Sequence, residues 1–199
     1  MTATVLLIRH ASHAHLGTIL SGRTPGIALS EAGRRQAIGL ARALSVNQID
    51  ALHSSPVQRA CETARAIAET RPELAVEEIR DLDEVDFGEW AGRKFAQLAA
   101  DPAWHRWNEE RERASPPGGE SMASAQARAW RHIEQTAARL PGQTIAMVTH
   151  CDIVRAVAAR VLGLSLGALL RFDVDPASVS RIALGGWGAK LLSLNERWP

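Results

Sequence analysis

The sequence has almost no net charge. Lys and Arg total 23 against 22 Asp and Glu, leaving +1 at pH 7 with the histidines neutral. That balance supplies no long-range basic field for nucleic acid or an anionic membrane, so neither is expected as a partner, and any anion-binding surface must be local. Cysteine is scarce. Cys61 and Cys151 are the only two, which does not make the disulfide framework of a small secreted domain. Long apolar runs are missing. The opening run to Ile8 is too short for a signal peptide and has no basic flank. No stretch approaches the ~20 apolar residues that span a bilayer, and a cytoplasmic protein is expected. Internal repeats, low-complexity tracts and charge blocks are also missing. At 199 residues, against roughly 100–200 per domain, the chain reads as one domain over 1–199.

What is present is an ordinary globular composition, 46% hydrophobic and 23% charged. Thr4–Ile8 is a short, partly β-branched run that suits one buried strand. Gly17, Gly22 and Pro25 make the following segment a loop. Ser30 is an N-cap for a helix with Ala37, Leu40, Ala41 and Leu44 on one face. Ile49–His53 reads as a second strand, with Pro56 in the first turn of the next helix. Leu74–Ile79 reads as a third strand. Residues 80–118 are irregular, with short helices around Phe95–Ala99 and Trp104–Arg111. A long helix follows from Met122 to Leu140, then a strand at Thr144–Thr149 and a helix at Ile153–Leu162. The segment from Arg171 to Leu194 reads as two or three strands. This alternation predicts an α/β fold, a three-layer α/β/α sandwich with a mostly parallel central sheet.

In such sheets ligands bind outside the C-terminal ends of the strands. Two strands end in histidine, at His10 and His150, and a third ends at Ser54-Ser55 and leads to Arg59. Phosphoryl transfer needs a nucleophile, a proton for the leaving group and well-placed donors around the phosphoryl oxygens. Arg9 and Arg59 can each grip phosphate with paired hydrogen bonds. A neutral imidazole at His10 is a competent nucleophile near pH 7. His150 adds a donor, and Glu84 can exchange a proton with the leaving oxygen and then with water.

The motifs occur in a telling order. Val5-Leu6-Leu7-Ile8-Arg9-His10-Ala11 is followed by Ser54-Ser55-Pro56-Val57-Gln58-Arg59-Ala60-Cys61-Glu62-Thr63-Ala64. Leu82-Asp83-Glu84-Val85-Asp86-Phe87-Gly88-Glu89-Trp90-Ala91-Gly92 comes next, then Pro117-Gly118-Gly119-Glu120-Ser121 and Met147-Val148-Thr149-His150. In this order the chain resembles the histidine phosphatase superfamily, or phosphoglycerate mutase-like family, in its phosphatase branch of α-ribazole phosphatase-type enzymes. The resemblance implies a phosphoglycerate mutase-like fold and a metal-independent phosphomonoesterase without a cofactor, acting on a small phosphorylated metabolite through a covalent phosphohistidine. It makes His10 the nucleophile, Arg9, Arg59 and His150 the phosphate pocket and Glu84 the acid/base. Ser21, Gly22 and Arg23 would line the substrate entrance, with His13, Cys151 and Ser121 as further substrate contacts. A homodimer is left open. The chain departs from the family pattern at Ala11, where the signature has Gly, and at Cys151-Asp152, where Gly-Gly is common. It also departs at Leu16, in place of a frequent Asn, and at His13, in place of a small hydroxyl residue.

Other readings compete. A phosphoglycerate mutase holds a second phosphate with a longer basic insert after the acidic motif. Here the segment from Gly92 to Pro116 is short, although Arg93, Lys94, Arg106, Arg111 and Arg113 keep that reading open. A non-catalytic phosphate-binding module should lack His10 or Glu84, and both are present. His10, His13 and His15 have no Cys or acidic partner at a recognised zinc spacing, so no metal site is expected. Asp81-Leu82-Asp83 does not follow the hydrophobic strand that a magnesium-dependent Asp-x-Asp phosphatase needs. Neither Cys61 nor Cys151 has the Cys-x5-Arg loop of a cysteine-dependent phosphatase. His53, His105 and His132 read as structural or surface residues, and Trp104, Trp107 and Trp130 as packing residues.

Overall fold

The computed structural model describes residues 1–198; Pro199, the end of the expected domain, lies outside the described residues. The strands are β1 (Ala3–Arg9), β2 (Ala51–Ser54), β3 (Val76–Glu78), β4 (Thr144–Thr149), β5 (Val179–Gly185) and β6 (Gly188–Glu196). They form a six-stranded sheet in the order β3-β2-β4-β1-β5-β6. The first four in that order run parallel, and β5 and β6 pair antiparallel at one side. The helices are α1 (Glu31–Leu44), α2 (Gln58–Ala68), α3 (Phe95–Leu98), α4 (Pro102–Glu109), α5 (Met122–Arg139) and α6 (Cys151–Val161).

Strand alternation builds three layers. Successive side chains of a strand point to opposite faces. On one face Val5, Leu7, Ile145 and Met147 pack with Ala129, Ile133, Ile153 and Val157 of α5 and α6. On the other, Leu6, Ile8, Ala146 and Val148 pack with Leu40, Leu44, Ala64 and Ile67 of α1 and α2. A strand covered on both faces has to be apolar at every position, which is why β1 reads as a continuous run. Ser30 caps α1, its hydroxyl accepting from the Gly33 amide. At Gly33 a Cβ would lie 1.8 Å from the Ser12 carbonyl, so glycine lets the first turn of α1 press on the backbone leaving β1.

The structure corrects several sequence-based boundaries. Pro56 lies before α2, not in its first turn, because Val57 is the extended N-cap. The helix expected from Ile153 starts at Cys151, since the Val154 amide already donates to the His150 carbonyl at 3.0 Å. Of the strands expected from Arg171 onward there are two, β5 and β6. Residues 172–178 instead cap the end of β1. Ala177, with φ 58°, donates its amide to the Arg9 and His10 carbonyls, and Val174 accepts from Arg9 Nη1 at 2.6 Å. No helix of the described residues is long and apolar enough to cross a membrane.

Away from the strand ends, His53 of β2 meets His132 of α5 with Nδ1 and Nε2 2.9 Å apart. Both are buried. Burial and then the neighbouring His53 push the His132 pKa down to about 4. The unfolded chain binds a proton at an ordinary histidine pKa of about 6.5. Stability from keeping the pair neutral is therefore full above that pH and is lost as the pH falls towards 4. Thermal melts should show wild type losing about 1–3 kcal/mol over that window, and His132→Gln should flatten this part of the curve. An unchanged slope in the variant would remove the pair as the cause.

Candidate active site

Register brings the polar strand ends together. Arg9 of β1 lies opposite Thr149 of β4, so His10 and His150 leave adjacent strands, with ring centroids 5.1 Å apart. Ser54 of β2 lies opposite Val148, which sets Ser55 beside them. Arg59, the second residue of α2, is 1% exposed. The loop after β1 brings His13, Ser21 and Gly22 over the strand ends, and the acidic loop brings Glu84 from the other side.

Arg59 links these parts. Its Nε donates to His10 Nε2 at 3.0 Å, and its Nη2 donates to the Gly22 carbonyl at 2.8 Å and to His150 Nδ1 at 3.1 Å. His10 Nδ1 donates to the Ala11 carbonyl at 2.8 Å. That bond places the ring proton on Nδ1 and leaves a lone pair on Nε2. Burial, with the Arg59 charge second, holds the His10 pKa well below the ordinary range, so the imidazole is neutral at pH 7. Among the described residues, the buried Arg59 Nη1 and Arg9 Nε have no hydrogen-bond partner. They are unspent cationic donors on two side chains that line the same cavity as His10.

Glu84 is 8% exposed, with Oε1 accepting from the Val85 amide at 3.0 Å and Oε2 lying 4.0 Å from His150 Nδ1. Burial, then the Asp152 carboxylate, push its pKa up to about 7, against the pull of Arg59. A carboxyl group poised there can give a proton and later take one. Its backbone is clamped. The Glu84 carbonyl accepts from Arg23 Nε at 2.7 Å and Arg128 Nη2 at 3.1 Å, and Glu120 ties both guanidiniums together at 2.5 and 2.7 Å. Glu120 also accepts from the Asp86 amide at 3.0 Å. The neighbouring glycines permit this contact. A Cβ on Gly119 would lie 2.3 Å from the Asp86 carbonyl, and one on Gly88 would lie 2.1 Å from that of Pro117.

A cavity of about 150 Å³ opens here. Arg9, His10, His13, Ser21, Gly22, Arg59, Glu84 and Cys151 of the expected residues line it. His150 does not; it is fully buried behind Arg59. Arg23 and Ser121 also lie outside the lining. Arg23 is spent on the clamp, and Ser121 caps α5 by accepting from the Ser124 amide. Leu16, Ile19, Phe87 and Phe95 add apolar walls, and Asp152 adds a carboxylate. Sequence reasoning missed Asp152 as a wall residue and the Glu120–Arg128 clamp. Glu120 lay inside a motif already singled out, whereas Arg128 gave no local signal. Burial pushes the Cys151 thiol up to about 11, which keeps it from acting as a thiolate. No group of three or more His, Cys, Asp or Glu side chains among the described residues is placed to hold a metal ion.

The family model for the histidine phosphatase superfamily (branch 1) matches residues 5–197. This chain belongs to the histidine phosphatase superfamily. Phosphoserine phosphatase 1 of Hydrogenobacter thermophilus is 33% identical over 196 residues, covering 96% of this chain and 91% of that one. The adenosylcobalamin/alpha-ribazole phosphatase of Escherichia coli is 30% identical over 194 residues, covering 96% and 95%. Among solved structures, mycobacterial glucosyl-3-phosphoglycerate phosphatase superposes with a TM-score of 0.86 at 26% identity, covering 98% and 99%. These histidine phosphatase relatives are hydrolases, and the chain is a phosphatase of the same superfamily.

The glycine contact makes a direct test of the clamp. Gly119→Ala forces the Asp86 backbone away and should cost about 1–3 kcal/mol by overpacking. It should also lower kcat/KM further than an equally destabilising core change such as Ile133→Val, because Glu84 moves with its loop. Equal effects of the two variants on activity would show that the clamp does not position Glu84.

Proposed function

We propose that this phosphatase is a phosphomonoesterase that works through a phosphohistidine on His10, with Glu84 as acid and base. The observation that carries the reading is the His10 ring. Its Nδ1–H is tied to the Ala11 carbonyl, and its Nε2 lone pair lies beside the buried Arg59 guanidinium. As a phosphoryl group enters, Arg59 and Arg9 take its oxygens and uncover Nε2. Nε2 attacks phosphorus, the ester P–O bond breaks, and the departing oxygen takes the Glu84 proton. Water then attacks the phosphohistidine, gives its proton to the Glu84 carboxylate and releases His10 and phosphate. The two guanidiniums carry the charge stabilisation.

The substrate that fits is a small ester with one phosphoryl group. A 150 Å³ cavity is about the size that holds benzene, so it takes the phosphoryl group and a few more atoms, and a larger leaving group projects outward. A second phosphoryl group finds no cationic side chain in the cavity lining beyond Arg9 and Arg59. Arg93, Lys94, Arg106, Arg111 and Arg113 are all outside the cavity lining, and Asp152 lies within it. Three of these arginines are engaged elsewhere, Arg93 by Asp101, Arg106 by Glu110 and Arg111 by Asp152. This charge pattern favours hydrolysis over a mutase, which must hold a doubly phosphorylated intermediate. Phosphoserine and α-ribazole phosphate, named for relatives, are substrates to assay first.

Acid-labile, base-stable label from a phosphorylated substrate should appear on the peptide carrying His10, and His10→Ala should abolish both label and turnover. Near-native turnover by that variant would sink the nucleophile assignment.

Glu84→Gln should separate leaving groups. The variant keeps the side-chain shape but cannot donate the proton, an effect typically worth roughly 10²–10⁴-fold. kcat/KM should fall by that factor on alkyl phosphates and only mildly on p-nitrophenyl phosphate, whose phenolate departs without help. Equal losses on both would assign Glu84 a purely structural role.

A further inference from the structure

Ser55 has one hydroxyl proton and three hydrogen-bonding neighbours. Its Oγ lies 2.7 Å from Asp83 Oδ1, 2.9 Å from His150 Nε2 and 3.2 Å from the Val57 amide. The Val57 N–H can only donate, and an ionised carboxylate can only accept. The Ser55 proton therefore goes to Asp83, and His150 Nε2 carries a proton that it donates to Ser55. At the other side of the ring Arg59 Nη2 donates to Nδ1, which requires a lone pair there. Both sides dictate the same tautomer. His150 and Ser55 are fully buried and Arg59 nearly so, so bulk water does not compete at the Arg59–His150–Ser55 bonds, while Asp83 at the end of the chain is half-buried.

This arrangement presents a difficulty to an incoming anion. A phosphoryl oxygen that draws Arg59 away would confront the bare lone pair of His150 Nδ1. We propose that Asp83, acting through Ser55, is a positioning residue that holds His150 in its Nε2–H form and provides the counter-charge for an imidazolium when a phosphoryl oxygen takes the place of Arg59 at Nδ1. The inference rests on the phosphohydrolase reading, since it needs an anion at His10. The proton arrives with the ligand or from solvent and settles on Nδ1, where it is donated to the phosphoryl oxygen; the Nε2 proton stays on Ser55.

The groups that face His150 explain why an anion and a counter-charge are both needed. Arg59 comes from α2, Arg9 and His10 from the end of β1, and Arg128 from α5; burial first, and then these charges, hold the ring neutral in the structure. Glu84 lies 4.0 Å from Nδ1, but its pKa of about 7 leaves it only partly ionised, and as the acid it has to carry the proton. Asp83, reached through the buried Ser55 hydroxyl, is the other carboxylate; burial raises its pKa, and the Ser55 hydrogen bond and the Arg23, Arg128 and Arg80 charges oppose that rise. Charge-assisted hydrogen bonds of this kind are roughly twice as strong as neutral ones, and a third group that sets the tautomer of a histidine is a recurring catalytic device.

The test follows the two ring nitrogens of His150 by ¹⁵N NMR at pH 7, with and without saturating orthovanadate, in wild type, Asp83→Asn and Ser55→Ala. Wild type should show a neutral Nε2–H ring alone and an imidazolium with vanadate. Asp83→Asn should stay neutral at vanadate saturation, with Kd for vanadate raised about 10- to 100-fold and KM for p-nitrophenyl phosphate raised with it. Ser55→Ala should behave alike while keeping the carboxylate, which separates the charge from the connection to it. A neutral His150 in vanadate-saturated wild type, or an imidazolium formed equally well in Asp83→Asn, would overturn the proposal while His10 labelling leaves the phosphatase reading intact. Failure of wild type both to bind vanadate and to turn over ester would sink that reading and this inference together.

Discussion

The Arg59 guanidinium is the constraint around which the strand ends are arranged. It is nearly inaccessible to solvent and donates to His10, His150 and the Gly22 carbonyl. A buried cation without such acceptors would be prohibitively unfavourable. Its partners come from β1, β4 and the loop after β1, so one side chain of α2 ties three separate segments. Burial, with the Arg59 charge next, holds both imidazoles neutral. Structural cohesion and the state of the His10 ring thus depend on one group, and an anion that attracts Arg59 disturbs both.

The acidic loop is governed by a different device. Its position depends on backbone proximity. Gly88 and Gly119 allow residues 86–88 and 116–119 to approach at distances a Cβ forbids. Glu120, Arg23 and Arg128 then close the contact with charge-assisted bonds. Residues distant in sequence determine where Glu84 sits, and Asp152, at the start of α6, contributes to its high pKa. A carboxyl group that titrates near neutrality arises here from burial beside a second carboxylate, with Arg59 limiting the effect.

Four of the departures from the family pattern reach the cavity, and the fifth, Ala11, is buried outside its lining. His13, Leu16, Cys151 and Asp152 all line it. Together they replace small or amide side chains with an imidazole, an apolar side chain, a protonated thiol and a carboxylate. Arg9, His10 and Arg59, which line the same cavity, keep to the family pattern.

The sequence alone determined the α/β class, the central strands and the candidate reacting groups. Apolar runs covered on both faces are legible because every position must be hydrophobic, as at Thr4–Ile8 and Thr144–Thr149. His10, Arg59, Glu84 and His150 were legible through ordered local motifs. Only the tertiary structure decided what those groups could do. It placed His150 behind Arg59, engaged Arg23 in a clamp and Ser121 in a helix cap, and turned residues 172–178 into a cover for β1 in place of a strand. It also connected Asp83 to His150 through Ser55. These outcomes depend on contacts between residues far apart in the chain. Hydrogen-bond capacity is a property of a residue type, but the partner that uses it is chosen by the packing of separate segments.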